Sequence, residues 1–353
     1  MIWTEAVLMF SQNSAAMKPT DFSRYISDFL SRYLTDERGA SINTINAYRD
    51  TFVLLLNFME TQQQIKLEKL TLKDIDKNTV ITFLEWIQSK RGCSVSTRNL
   101  RLAAIHSFYR YLQYQNLDVI YECQKILAIK SKKHPKETMV YLTVEGIKSL
   151  LKQPDTTTKR GRRDLALLSL MYDTGARVQE IIDLTPSMLH LGNPSTIKII
   201  GKGDKARLVP VIEAQTAHLK NYIKEYQMDH PEKMLHPLFF NSRKEKLTRS
   251  GITYILRKYV INARKINPSV IPKNVSCHSL RHSKAMHLLQ AGVNLVYIRD
   301  ILGHVSIQTT EIYARADSKQ KRLALEKAYV DVNPKEEPNW TNNQNLIDWL
   351  KKF

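Results

Sequence analysis

Cysteine is scarce: Cys93, Cys123 and Cys277 are the three in 353 residues. The number is odd and none are spaced as Cys-x-x-Cys, which excludes a disulfide framework and a zinc knuckle. A reducing cytoplasm suits such a chain. No apolar run is long enough to cross a bilayer, so no membrane partner is expected. Met1–Phe10 is mildly apolar but lacks the basic start of a signal peptide. There is no internal repeat and no low-complexity tract. Acidic residues are outnumbered, 34 Asp/Glu against 53 Lys/Arg, a formal charge of +19. A surplus of that size calls for a polyanion, usually nucleic acid and sometimes an anionic membrane.

The surplus is uneven. Residues 1–118 hold 14 Lys/Arg and 12 Asp/Glu, so 39 and 22 fall after them. The first part reads as a helical bundle. Phe22, Tyr25, Ile26, Phe29, Leu30 and Tyr33 recur at helical spacing. Ser41 opens a second helix through Tyr48, Phe52, Leu55 and Met59, and a third covers roughly Lys77–Lys90. A fourth begins at Ser94 or Ser96 and carries Leu100, Ala104, Ile105, Phe108, Tyr109 and Leu112. The predicted layout is a leader over 1–17, with Met17 an alternative start, and a helical DNA-binding domain over 18–118. A basic linker over 119–140 contains Lys130-Ser131-Lys132-Lys133-His134-Pro135-Lys136. A second domain follows over 141–330, with helices over 144–152, Asp164–Thr174, 213–227, 248–263, 279–291, 294–302 and 306–328. Thr196–Ile200 and Ala206–Val211 read as strands around the turn Gly201-Lys202-Gly203-Asp204-Lys205.

Three clusters in this second part each have an ordinary explanation alone. In Thr174-Gly175-Ala176-Arg177-Val178-Gln179-Glu180, a permanently charged arginine follows an apolar helix and needs an anion, either Glu180 or a phosphate. In His278-Ser279-Leu280-Arg281-His282, His278 and Arg281 share a face beside a helix N-terminus, an anion-binding arrangement. His278 and His282 stand four apart as in a zinc helix, but no glutamate lies between them and no metal is assigned. Leu302-Gly303-His304 forms a turn, and Tyr313 follows on a new helix, where alone it reads as half-buried packing. Together the set has one shared use. Two guanidiniums can grip the non-bridging oxygens of a phosphodiester. A tyrosine hydroxyl can attack phosphorus. A lysine on a hairpin can protonate the departing oxygen.

In that order and spacing the clusters resemble the tyrosine recombinase/integrase family, the phage-integrase and Xer-like enzymes, over about residues 20–328. Glu37-Arg38-Gly39-Ala40-Ser41, Thr44–Arg49 and Ser107–Leu112 resemble the family's helical core-binding domain. The resemblance implies a mainly α protein with a small β-sheet: a helical, SAM-like core-binding domain and an α/β catalytic domain, clamped around duplex DNA. It implies catalysis by Arg177, Lys202, His278, Arg281, His304 and Tyr313, with Glu180 in support and Lys205 the fallback for Lys202. It implies no cofactor, no metal and no ATP, a 3′-phosphotyrosine, and strand exchange through a Holliday junction. The partners implied are paired DNA half-sites, a homo-tetramer on DNA (monomer or dimer when free), and an accessory recombinase or directionality factor. Candidate DNA contacts are Arg49, Arg98, Arg101, Lys130, Lys132, Lys133 and Lys205. The expected location is the cytoplasm, at the nucleoid, and the self-contained plan suits a mobile element.

Two features depart from simple family members: Ala314 beside Tyr313, and a chain that continues to Phe353. Residues 331–341 read as a polar tether with Pro334 and Pro338. Leu346, Ile347, Trp349, Leu350 and Phe353 then form a short amphipathic segment that needs a docking surface, on its own chain or a neighbouring one. Two rivals share parts of the pattern: a type IB topoisomerase, and an architectural DNA-binding protein with an inactive site. The charge makes a direct prediction. With ~6–10 phosphate contacts, DNA affinity is expected to fall by roughly three to five decades between about 50 and 200 mM salt. A flat salt response in a fluorescence-anisotropy titration would leave the basic surplus without its partner.

Overall fold

The computed structural model describes residues 18–133, 139–201, 203–316, 348 and 350–351. The expected leader, Lys202, the tether and all of the C-terminal segment but Asp348, Leu350 and Lys351 lie outside the described residues. The chain divides into two compact units at the Glu137/Thr138 junction, each with its own hydrophobic core.

The first unit is all-helical. Helix α1 (Asp21–Asp28) starts where Thr20 accepts the Ser23 N–H, and runs on as a wider π-type helix over Phe29–Glu37. Helices α2 (Ile42–Thr61), α3 (Lys77–Ser89) and α4 (Val95–Gln115) open on Ser41, Asp76 and Ser94, whose side chains each accept a first-turn N–H. Ser94, not Ser96, is therefore the cap of the fourth helix. The inner faces meet in an aromatic cluster, with Phe108 edge-on to Phe29 and Phe52 at 5.4 and 5.3 Å between ring centres. Leu100, expected on the buried stripe of α4, is exposed, because Leu102, Ile105 and Leu112 define the inner face.

The bundle extends further than the sequence predicts. Helix α5 (Ile120–Leu127) lies within the stretch expected as linker, yet Cys123 and Ile126 are fully buried in this core. Beyond it, Asn99 exchanges hydrogen bonds with the Lys132 backbone at 2.8 and 3.0 Å, so the chain stays on the bundle to that point. The eight-residue helix is too short and too charged on its outer face to announce itself by periodicity.

The second unit begins with α6 (Val144–Leu151), capped by Thr143, and α7 (Lys159–Thr174), capped by Thr158. α7 starts a turn and a half earlier than predicted because its first residues, Lys159, Arg160 and Arg162, are basic rather than apolar. A short helix α8 (Val178–Ile182) leads to a three-stranded antiparallel sheet, β1 (Leu189–His190), β2 (Thr196–Ile200) and β3 (Ala206–Pro210), in the order β1-β2-β3. Helices α9 (Glu213–Glu225), α10 (Arg249–Ile266), α11 (Cys277–Gln290), α12 (Leu295–Leu302) and α13 (Gln308–Ala316) complete it. The apolar α7 packs against α9 and α11. A buried Arg163–Asp164 pair, closed by the Tyr259 hydroxyl at 2.9 Å from Asp164 Oδ2, ties α7 to α10. A smaller core of Ala285, Met286, Ile298, Leu302 and Tyr313 joins α11, α12 and α13.

If α5 belongs to the bundle, Ile126→Ala should destabilise the first unit by about 2–5 kcal/mol, the usual effect of emptying a fully buried aliphatic site. Urea unfolding followed by circular dichroism measures it; a linker residue would leave the transition unmoved.

Candidate active site

Two helices of the second unit end at one place. α7 stops at Gly175 (φ 57°) and α12 at Gly303 (φ 65°), both in the left-handed conformation that favours glycine. Space is also denied: a Cβ on Gly175 would lie 2.6 Å from Leu302 Cδ2, and one on Gly303 2.6 Å from Arg207 Nη1. Arg281, in the first turns of α11, donates Nη1 to the Gly175 carbonyl at 2.7 Å and Nη2 to the Leu302 carbonyl at 2.8 Å. Carbonyls at helix C-termini carry partial negative charge, so they stabilise a guanidinium that is 4 % exposed.

Arg177 stands at the start of α8. Its backbone N–H and its Nη1 both donate to Glu180 at 2.8 Å, and its Nη2 reaches the Gly303 carbonyl at 3.2 Å. Of the two anions the sequence left open for Arg177, Glu180 is in place. The side chain is still 35 % exposed and accessible to a second anion. Arg207, on β3, completes the cluster: Nη2 and Nη1 bond Glu180 at 2.7 and 3.1 Å, and Nε bonds the Ile301 carbonyl at 2.9 Å. Sequence reasoning missed Arg207. Its signal is register, since it pairs with the fully buried Ile199, two residues from the Ile197–Val209 pair on the same face.

Two guanidiniums thus bond one carboxylate, and a third, Arg281, lies close enough to feel its charge, an excess of two positive charges among these four groups. Burial alone would raise the Glu180 pKa, but the bonds from Arg207 and Arg177 outweigh it and hold the carboxyl below its ordinary value. Burial, with Arg177 next, brings Arg281 down to about 10. His278 is lowered by burial and then by Arg281 and Arg177. His282 and His304 are brought to about 4 by burial, helped in each case by Arg281. Burial is the largest cause of the arginine and histidine shifts, and neighbouring positive charge adds to each.

Tyr313 projects from α13 into this place. Its ring is 1 % exposed and stacks on His304, 6.3 Å between centres and 10° between planes. His304 Nδ1 is held by Thr310 Oγ1 at 2.9 Å. The Tyr313 hydroxyl lies 3.1 Å from His282 Nδ1. Burial pushes its pKa up while Arg281 and Arg177 pull it down. The sequence quoted His282 within its motif without assigning it to the site.

The fold therefore brings together Arg177, Glu180, Arg281, His304 and Tyr313, with His278 exposed at the start of α11. Lys202 lies outside the described residues. Its hairpin stem borders the site, for a Cβ on Gly201 would lie 3.4 Å from Glu180 Oε1. The expected DNA contacts divide. Lys130, Lys132, Lys133 and Lys205 are exposed, and Arg49 is partly exposed beside Asp50. Arg98 requires correction: at 5 % exposure, on the inner side of α4, its guanidinium is enclosed by the bundle. Arg101 donates to Ala47 O and Thr51 Oγ1, tying α4 to α2.

Comparison with known proteins gives the family. The family model described as "Phage integrase family" matches residues 140–320, and "Phage integrase, N-terminal SAM-like domain" matches residues 26–116. The chain belongs to the phage integrase family of tyrosine recombinases. It is 32 % identical to the tyrosine recombinase XerD of Listeria innocua over 315 residues, 88 % of this chain and 98 % of that one. It is 38 % identical to the provisionally named integrase/recombinase y4rC of Sinorhizobium fredii, over 88 % of this chain and 92 % of the other. Among solved structures, the XerH site-specific recombinase bound to difH substrate is similar with a TM-score of 0.62 and 26 % identity, over 85 % of this chain and 84 % of that one. The tyrosine recombinase is thus a site-specific DNA recombinase, and neither the topoisomerase nor the inactive architectural reading is favoured.

The depressed imidazoles make the recombinase acid-sensitive. His282 and His304 titrate near about 4 in the folded chain and near 6.5 when free. Between those values the unfolded chain binds more protons. Their contribution to stability is therefore complete above pH about 6.5 and is lost as pH falls toward about 4. The melting temperature should drop across that window, and more shallowly in a His282→Gln/His304→Gln variant. Identical slopes for the two proteins would contradict the assignment.

Proposed function

We propose that the recombinase cuts and rejoins DNA through a covalent bond between Tyr313 and a 3′-phosphate. The observation that carries this reading is the uncompensated positive cluster around Glu180, with the Tyr313 hydroxyl beside it. A phosphodiester brings the missing negative charge, and its pentavalent transition state brings more. Arg177 and Arg281 grip the non-bridging oxygens, supplying the positive charge that metal ions supply in other phosphoryl-transfer sites. His278 and His304 hydrogen-bond the same phosphate, and Glu180 holds Arg177 and Arg207 in their rotamers. Tyr313 attacks phosphorus, and the hairpin lysine Lys202 protonates the departing 5′-oxygen. The intermediate keeps the bond energy of the cut strand, so resealing needs neither ATP nor a cofactor.

Exchange of both strands between two duplexes requires four cuts. With one nucleophile per chain, that is a tetramer on paired half-sites, passing through a Holliday junction. The helical first unit acts as the core-binding domain, with Lys130, Lys132 and Lys133 following the DNA backbone past α5. A bacterial relative such as XerD supports action at the nucleoid in the cytoplasm. A mobile element as host, an accessory recombinase and a directionality factor belong to the same proposal.

The test is covalent trapping on a nicked duplex that loses its 5′-fragment after cleavage. Tyr313→Phe should bind DNA like the parent, because the ring still packs, and should give no SDS-resistant adduct. An adduct from the Phe variant would mean that another residue is the nucleophile.

A further inference from the structure

We propose that His282 accepts the phenolic proton of Tyr313 as that oxygen attacks phosphorus, and returns it when the strand is resealed. The proposal rests on the reading of Tyr313 as the nucleophile and adds a residue the site motif leaves without a role. The basis is contact: His282 Nδ1 lies 3.1 Å from Tyr313 Oη, within the reach required of a general base. The two rings meet at 58° with centres 5.7 Å apart, so the imidazole is not stacked on the phenol as His304 is. His304 has its Nδ1 engaged by Thr310, and Arg281, which also hydrogen-bonds the Tyr313 side chain, is a cation with no lone pair to accept a proton.

The surroundings supply the protonation state. His282 faces His278 and Arg281 on its own helix, His304 on the turn after α12, and Tyr313 on α13. Burial and those neighbours bring its imidazole down to about 4, so at neutral pH the ring is uncharged and has a lone pair to offer. A base of that strength would be poor in the empty site. An arriving phosphate changes it, since a nearby negative charge favours the imidazolium. His282 thus becomes a competent acceptor when the scissile group is bound. In the step, the Tyr313 O–H bond breaks with its proton passing to Nδ1, the O–P bond forms, and the bond from phosphorus to the 5′-oxygen breaks. The 5′-oxygen takes its proton from Lys202. Resealing reverses each transfer, with Tyr313 leaving as phenol.

The experiment uses the full chain and single-turnover cleavage of the nicked duplex, comparing the parent with His282→Ala and His282→Gln. DNA binding should be kept in both, and neutral-pH melting in His282→Gln, whose amide oxygen can still accept from the Tyr313 hydroxyl, while cleavage falls by roughly a hundredfold or more in both. A second substrate, used in the Tyr313→Phe background so that no enzyme phenol has to lose a proton, carries p-nitrophenyl phosphate at its 3′-end, to be joined directly to a 5′-hydroxyl strand. Its phenolate leaves without a proton, so the deficit of both variants should shrink by at least about tenfold there. An equal deficit on both substrates would make His282 structural and overturn the proposal. So would parent-like cleavage by His282→Gln, which would show that a hydrogen bond suffices without a titratable base. An adduct from Tyr313→Phe would overturn the nucleophile assignment together with this one. Parent adducts, none from the Phe variant and normal cleavage by the His282 variants would overturn this one alone.

Discussion

Arg281 is a buried cation that pairs with no carboxylate among the described residues and is held by the carbonyl ends of two helices. Removing a guanidinium from water costs several kcal/mol, and helix-end dipoles offset part of that. The rest of the site follows from this choice. α7 and α12 must both terminate beside α11, so both end in left-handed glycines whose missing Cβ atoms let Leu302 and Arg207 approach. Arg177 and Arg207 then share Glu180, which neutralises one of the two and leaves the cluster positive. A folded chain that tolerates such an excess is organised around an anion that arrives later.

The same packing places the proposed nucleophile. Tyr313 is part of the small core that joins α11, α12 and α13 and not a mobile surface side chain. Its ring is located by Ala285, Met286, Ile298 and Leu302, and by the face of His304. Positioning by packed helices is more precise than positioning by loops, and in-line attack on phosphorus demands that precision. The price is accessibility, because the hydroxyl that must meet DNA is enclosed in the free protein. The bond to His282 meanwhile keeps the buried hydroxyl from being left without a partner.

Much of the architecture was legible in the sequence. The helix start at Ser41 and the apolar repeats of α2, α4 and α7 are local, and local signals survive translation into structure. The hairpin was legible because Gly203 and Asp204 both take positive φ in a turn between alternating strands. α5 was not, since eight residues with a few apolar side chains look the same in a linker as in a bundle until a partner surface is present. Arg98 shows the converse error: a cation counted as surface by its type lies on the inner side of its helix.

For the chemistry, the residue types and their order determined by themselves the family, and with it a set of arginines, histidines and a tyrosine. Only the tertiary structure decided how they meet. It made Glu180 the common partner of Arg177 and Arg207, set Arg281 between two helix ends, and put His282 rather than His304 on the Tyr313 hydroxyl. All of these but the Arg177–Glu180 bond join residues tens of positions apart. A motif records which side chains are present, but charge balance and proton transfer depend on distances of about 3 Å, which only the packed chain defines.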